Sequence, residues 1–269
     1  MKNEIVLNIN HLQKKFGKFE ALKDVNLEIH RGEVLGFIGP NGAGKSTTIR
    51  TILGLIKKSG GSAKVFGMDP WKDSVAIHKQ LAYVPGDVYL WPNMTGGQTI
   101  DMLLHMSGQN HSKLTDQLID SFKLDPSKKN RTYSKGNRQK VALISALSSE
   151  VPFYIFDEPT SGLDPLNEII FQQEVERLKK SGHSILLSSH ILSEVEKMGD
   201  TISIINDGKT IETGSLDSMR HLTRSVVEVK TQQDLNDLSN MQEVHSVAFK
   251  EDQKNDVTFT VDSDKIGVV

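Results

Sequence analysis

Residues 34–47 read VLGFIGPNGAGKST, and no other stretch restricts the possible folds of the chain so strongly. Val34-Leu35-Gly36-Phe37-Ile38 is a short apolar run with a β-branched residue at either end, the pattern of a strand buried on both faces. It passes without a gap into Gly39-Pro40-Asn41-Gly42-Ala43-Gly44-Lys45-Ser46, followed by Thr47, which satisfies G-x-x-x-x-G-K-[ST]. Glycines let such a loop curl until its backbone N–H groups point inward at phosphate oxygens. Lys45 is placed to reach the β- and γ-phosphates and the Ser46 hydroxyl to ligate Mg²⁺. The helix that follows presents its positive end to the anion. Strand, loop and helix in this order predict an α/β core that binds a nucleoside triphosphate.

Composition narrows the classes around that site. The 269 residues suit one large domain, or one domain with a small appendage. Lysine and arginine number 32 against 34 acidic residues, a formal charge of −2, so no direct nucleic-acid partner is expected from a basic surface. There is no cysteine, which excludes disulfides and thiolate metal sites. No apolar run approaches the roughly 18 residues of a membrane span. The N-terminus MKNEIVLNIN mixes charge into its apolar residues and lacks the core of a secretion signal. A chain soluble by itself and cytoplasmic is expected.

In chain order, weak alternation over 5–10 predicts an edge strand, followed by a basic loop over 11–22 that carries Phe16 and Phe19. Clean alternation over 25–29 predicts an antiparallel strand with one wet face. Short strands are expected at 63–66, 81–84, 153–156 and 185–187, and helices at 46–55, 74–80, 134–147 and 165–180. Helical spacing at 98–106 and 114–122 suggests a helical subregion. Asn206-Asp207-Gly208-Lys209 between two apolar runs is a hairpin signal. Beyond about residue 221 the texture changes to a small β-α-β-β pattern, with strands near 226–229, 246–249 and 257–261 and a polar helix-like segment at 232–239. Domains are accordingly expected at 1–221 and 222–269, the second a minimal or truncated α+β appendage.

Phe153-Tyr154-Ile155-Phe156-Asp157-Glu158 is an apolar strand that ends in two carboxylates. In a parallel nucleotide-binding sheet such a strand sets its acids at the carboxyl edge, beside the phosphate loop. Asp157 is then placed to hold Mg²⁺ through water and Glu158 to polarise an attacking water.

Joined to Asp157-Glu158-Pro159-Thr160-Ser161-Gly162-Leu163-Asp164 and Ser188-Ser189-His190, these motifs resemble the nucleotide-binding subunit of an ABC transporter, over residues 5 to about 221. The resemblance implies a RecA-like P-loop core with an antiparallel β subdomain and a helical subdomain. It implies ATP and Mg²⁺ as ligands, ATP hydrolysis, and two copies of the chain clamped head to tail around two nucleotides. It also implies a separate membrane permease and a place on the inner face of the cell membrane. A short cassette with an appendage resembles exporters of drugs, antibiotics or lipids more than importers.

By the same resemblance Phe16 matches the aromatic loop whose ring stacks on adenine, with Phe19 the lesser candidate. Tyr133-Ser134-Lys135-Gly136-Asn137 stands where the family signature, usually LSGGQ, belongs: Ser134 and Gly136 are kept, while Tyr133, Lys135 and Asn137 depart. In the family this segment contacts the γ-phosphate held by the opposite subunit, and Ser161 and Asp164 contact the partner. His190 matches the switch histidine that hydrogen-bonds the γ-phosphate. Met94-Thr95-Gly96-Gly97-Gln98 is closer to the signature by letters, but no acidic strand follows it, and it reads as a turn into a helix. Gly86 stands where the family usually has a glutamine that reaches Mg²⁺, and it cannot do so. Two other classes compete. A soluble ABC ATPase of ribosomes or nucleic acid usually carries two cassettes or a long coiled coil, and neither is present. A P-loop GTPase would carry Asn-Lys-x-Asp, which is absent.

Overall fold

The structure, a computed structural model, describes residues 4–215, 218–219, 224–231, 238, 241, 244–250 and 253–262. The chain divides into two compact units, Met1–Thr213 and Gly214–Val269. In the first, β1 (Ile5–Phe16) and β2 (Phe19–His30) form a long antiparallel hairpin. β3 (Val34–Ile38), β5 (Leu81–Val84), β6 (Phe153–Asp157), β7 (Ser184–Ser189) and β8 (Thr201–Asn206) make a parallel sheet. With β4 (Gly60–Val65) and β9 (Lys209–Ser215) they complete one nine-stranded sheet in the order β4-β1-β2-β9-β8-β3-β7-β6-β5.

The segment expected as an edge strand and a basic loop is therefore a single strand and a hairpin turn. β4 pairs along the outer side of β1, so β1 is not an edge. Register shifts near Ile9, Leu12 and Lys14 interrupt the pairing with β2. Each shift re-phases the inward residues, so strict alternation is lost although Val6, Leu7, Ile9 and Leu12 are all buried. The expected hairpin at Asp207-Gly208 is present, with both residues at positive φ (47° and 73°), as a two-residue turn between twisted strands requires.

The helices fall close to their expected places: α1 (Lys45–Ile52), α2 (Ser74–His78), α3 (Gly96–Met106), α4 (Lys113–Ser121), α5 (Lys135–Leu147) and α6 (Pro165–Lys180). α7 (Leu192–Glu196), too short for a periodic signal, was not expected. α3 and α4 pack on α5 as the helical subdomain. Thr95 caps α3 in a reciprocal capping box with Gln98, so the signature-like letters there are a helix start. The main core joins β1, β2, β3 and α1 through Leu7, Leu22, Val25, Leu35, Phe37 and Ile49. On the far side of β6, Phe156 meets Phe171 of α6 edge to face at 5.2 Å.

In the second unit β10 (Arg224–Lys230), β11 (Val244–Lys250) and β12 (Gln253–Asp262) form an antiparallel sheet with β12 central. Val244, Val257, Phe259 and Val261 make its core. The helix-like segment expected at 232–239 lies largely outside the described residues.

Candidate active site

The phosphate loop leaves β3 at the carboxyl edge of the parallel sheet, where every residue of β3 is buried. Gly42 and Gly44 take φ of +83° and +113°, conformations closed to L side chains, so both positions demand glycine. Gly44 precedes α1 and supplies no side-chain cap, which leaves the first-turn amides for an anion. Asn41, Gly42, Gly44, Lys45, Ser46 and Thr47 line a cleft of about 290 Å³ together with Phe19, Ala21 and Glu158. Ala43 is buried behind them and holds the loop, its N–H donating to the Pro40 carbonyl at 3.1 Å. The Lys45 ammonium, 5% exposed, donates to the carbonyls of Gly39 (2.6 Å) and Pro40 (3.3 Å) and stands 3.5 Å from Glu158 Oε1.

The second half of the site comes from the ends of β6 and β7. Asp157 is buried and accepts a hydrogen bond from Ser188 Oγ at 2.5 Å. The Glu158 N–H donates to both the carbonyl and the hydroxyl of Ser188, each at 3.1 Å. Those bonds hold Glu158 at φ 48°, an uncommon conformation that costs of order 1 kcal/mol outside glycine and recurs where a site over-determines its backbone. The turned carboxylate meets the Lys45 ammonium through Oε1 and the His190 ring, Nδ1 at 3.5 Å, through Oε2. The sequence therefore brought Lys45, Glu158 and His190 to one point from three distant segments. Ser188 is the residue that sequence reasoning missed. Its only signal was a pair of serines ending an apolar strand. Burial, and then the Asp157 carboxylate, push the nearby Tyr83 phenol up to about 12.

Ser46 lines the phosphate-loop cleft and Asp157 is buried at the end of β6, and these are the side chains that would hold a Mg²⁺ ion. A hydroxyl and a buried carboxylate are an all-oxygen donor set, which suits a hard cation that keeps several of its waters. No cluster of three or more His, Cys, Asp or Glu that could hold a metal by itself exists among the described residues. Gly86 lies against this end of the sheet: a Cβ there would stand 3.2 Å from the Asp157 carbonyl. Asp87 does not line the phosphate-loop cleft. It lines a separate recess with Arg131, Lys135 and Arg138.

Phe16 and Phe19 pair across the hairpin tip, but the residue lining the cleft is Phe19. Lys14 Nζ sits 4.8 Å over the Phe16 ring.

Ser134, Gly136 and Asp164 form a different surface. Ser134 caps α5 by accepting from the Asn137 N–H, and Asp164 caps α6 by accepting from the Asn167 N–H. That backbone bond, joined by one from the Asn167 side chain, holds the Asp164 carboxyl below the usual range. A Cβ on Gly136 would meet the Gly162 carbonyl at 2.3 Å, so glycine is what allows α5 to approach the loop after the acidic strand. Lys135 Nζ ties the same two segments by donating to Ser161 Oγ at 2.8 Å. None of these residues lines the phosphate-loop cleft of its own chain.

A parallel sheet that delivers a glycine loop and an acid-tipped strand to one cleft defines a P-loop nucleoside triphosphatase. The ABC transporter family model matches residues 22–161. ABC transporter ATP-binding protein NatA of Bacillus subtilis is 34% identical over 219 residues, 79% of this chain and 89% of that protein. Bacitracin transport ATP-binding protein BcrA of Bacillus licheniformis is 30% identical over 226 residues, 83% of this chain and 74% of that protein. An uncharacterized ABC transporter ATP-binding protein of Nostoc is 36% identical, with 75% of this chain covering 62% of its length. A solved ATP-binding subunit of an ABC transporter superposes with a TM-score of 0.73 at 32% identity, over 81% of this chain and 92% of that one. A dimeric ATP-binding cassette holding ADP and phosphate after hydrolysis shares the fold, with a TM-score of 0.69 at 23% identity over 78% and 98% of the two chains. The chain belongs to the ABC transporter family, as an ATP-binding subunit with ATPase activity. Among the described residues no helix is long and apolar enough to cross a membrane.

Proposed function

We propose that this chain powers export of a drug, antibiotic or lipid through a separate membrane permease, from the inner face of the cell membrane. Residues 1–221 act as the cassette and 222–269 as an accessory domain. Similarity to a bacitracin transport protein supports the export reading. The observation that carries the hydrolytic assignment is Glu158, whose carboxylate lies 3.5 Å from both Lys45 and His190. Lys45 and the loop amides, from Gly39 through Thr47, bind the triphosphate. Mg²⁺, held by Ser46 and Asp157, would neutralise charge on the phosphate oxygens. Glu158 orients the attacking water and takes its proton, while His190 positions Glu158 and hydrogen-bonds the γ-phosphate. An aromatic ring of the hairpin tip, Phe16 or its neighbour Phe19, covers adenine. Ser134, Gly136 and Asp164 act on nucleotide bound to a second copy, because on their own chain they face no nucleotide cleft. ATP binding accordingly drives homodimerisation.

Glu158→Gln tests the assignment. It keeps shape and ATP affinity, removes the base, and is expected to lower turnover by about 10²–10⁴-fold while ATP-bound dimer accumulates in light scattering. Persistent turnover with only monomer at saturating Mg-ATP would overturn the role of Glu158. Recovery of the tagged chain with ribosomes, and not with membrane vesicles, would overturn the transport reading.

A further inference from the structure

Two turns that carry reacting groups meet at a single oxygen behind the site. Glu194 Oε2 accepts from Ser189 Oγ at 2.8 Å and from Thr160 Oγ1 at 3.1 Å. Ser189 ends β7 and directly precedes His190, while Thr160 stands two residues after Glu158. Both hydroxyls belong to buried residues, where a donor left without an acceptor is costly. Among the described residues Glu194 pairs with no lysine, arginine or histidine, so these two hydroxyls are the partners its carboxylate serves. None of the three residues lines the phosphate-loop cleft, and no step of hydrolysis described above uses them.

Each hydroxyl is fastened to the backbone that aims a reacting group. Ser189 Oγ also accepts the Ile191 N–H at 3.0 Å, which closes the backbone around His190. The His190 side chain is 46% exposed, so it is this turn, and not close packing, that aims the ring. On the other side the Glu158 carbonyl accepts the Ser161 N–H at 3.1 Å, and the Thr160 carbonyl accepts the Leu163 N–H at 3.0 Å. Thr160 is thus held inside the turn that Glu158 begins. Glu194 is itself anchored through Val195, the next residue of α7. A Cβ on Gly36 of β3 would stand 1.9 Å from Val195 Cγ1, so the missing side chain there lets α7 settle on the sheet. Val195 is fully buried in that seat.

We propose that Glu194 is a positioning residue for ATP hydrolysis: its Oε2 clamps the turn that carries His190 to the turn that carries Glu158. This rests on the reading of Glu158 and His190 as the hydrolytic pair. The clamp sets the separation of those two groups, and a misplacement of about 1 Å can cost on the order of 10²-fold in rate. What the clamp needs is one acceptor oxygen at the right reach for two hydroxyls. Glutamine keeps a carbonyl oxygen with two lone pairs at the same reach. Aspartate keeps the charge but is shorter by one carbon–carbon bond, about 1.5 Å. Reach and charge therefore make opposite predictions for the two substitutions.

The test follows Mg-ATP turnover by the full-length chain. Glu194→Ala and Glu194→Asp should each lower kcat by about 10- to 100-fold, with KM for ATP and nucleotide affinity within about twofold. Glu194→Gln should stay within about fivefold of wild type. In a His190→Ala background, Glu194→Ala should reduce the residual single-turnover rate by less than about threefold, because the clamp acts through His190. Thr160→Val gives a second handle should Glu194→Ala not fold: it removes one hydroxyl, and kcat should fall severalfold with KM unchanged. Full activity in Glu194→Asp with loss in Glu194→Gln would overturn the clamp in favour of charge. Losses that multiply in the double variant, or a KM that rises in step with the fall in kcat, would overturn it as well. If Glu158→Gln and His190→Ala slow turnover while Glu194→Ala does not, the inference falls alone. If those two variants turn over like wild type, the hydrolytic reading falls and the inference with it.

Discussion

The phosphate-loop edge and the signature edge of this molecule are built from the same kinds of residue, yet only the first gathers its side chains around a cleft. At the first, Lys45, Glu158, His190, Asp157 and Ser188 are linked by contacts of 2.5–3.5 Å drawn from β6, β7 and the loop after β3. At the second, Ser134 and Asp164 satisfy only the amides of their own helices, and Lys135 satisfies a neighbouring serine. A helix cap is a finished structure by itself. The difference teaches that a motif can be locally satisfied while facing no nucleotide cleft of its own chain, which is what the proposed action on a second copy requires.

The comparison can be broken most directly at Lys45. Lys45→Ala removes the charge that the first edge offers to two phosphates, and ATP affinity should fall by about 100-fold in a nucleotide titration, near 3 kcal/mol. Unchanged affinity would mean that the edge is not assembled for a triphosphate. Ser134→Arg addresses the second edge. It should leave ATP affinity of the isolated chain within about twofold, since loss of a serine cap costs only about 1 kcal/mol of stability. Hydrolysis should fall by about tenfold or more. A matched loss of binding would show that Ser134 acts on its own chain's nucleotide and that the two edges are one.

The smallest effect concerns the helical subdomain that carries the second edge. His111 stands between Asp101 of α3 and Asp116 of α4, 2.6 and 3.0 Å from their carboxylates. Its hydrogen bond to Asp101, then that to Asp116, raise its pKa above the usual value. A raised folded pKa stabilises fully below the ordinary value and is lost as pH rises through the folded one. The contacts are partly solvent-screened, so wild type should lose on the order of 1 °C more than His111→Asn between pH 6 and pH 9 by thermal melting. An identical pH dependence for the two proteins would remove His111 as a link between α3 and α4.

Most of this is legible in the sequence, for a physical reason that differs by element. β3 and β6 are apolar throughout because both faces are buried, and α6 carries its own cap and first-turn proline, Asp164 and Pro165; signals of that kind are local and survive in the sequence. β1 shows only half its length in the sequence pattern because its bulges re-phase the alternation that defines a strand. The role of Ser188 was invisible for another reason: it exists only because β7 lies between β3 and β6 in the sheet, so that its hydroxyl meets Asp157 across the strand pair.

The sequence by itself determined the triphosphate loop, the acid-tipped strand and the family, since each rests on residue types at short, fixed spacing along the chain. Tertiary structure alone decided which phenylalanine of the hairpin tip lines the cleft, that Glu158 turns toward both Lys45 and His190, and that three cations gather beside Asp87. Those outcomes depend on the register of β1 on β2, on the φ of one residue and on how α5 packs. Separations through space of that kind leave no periodic mark along the chain.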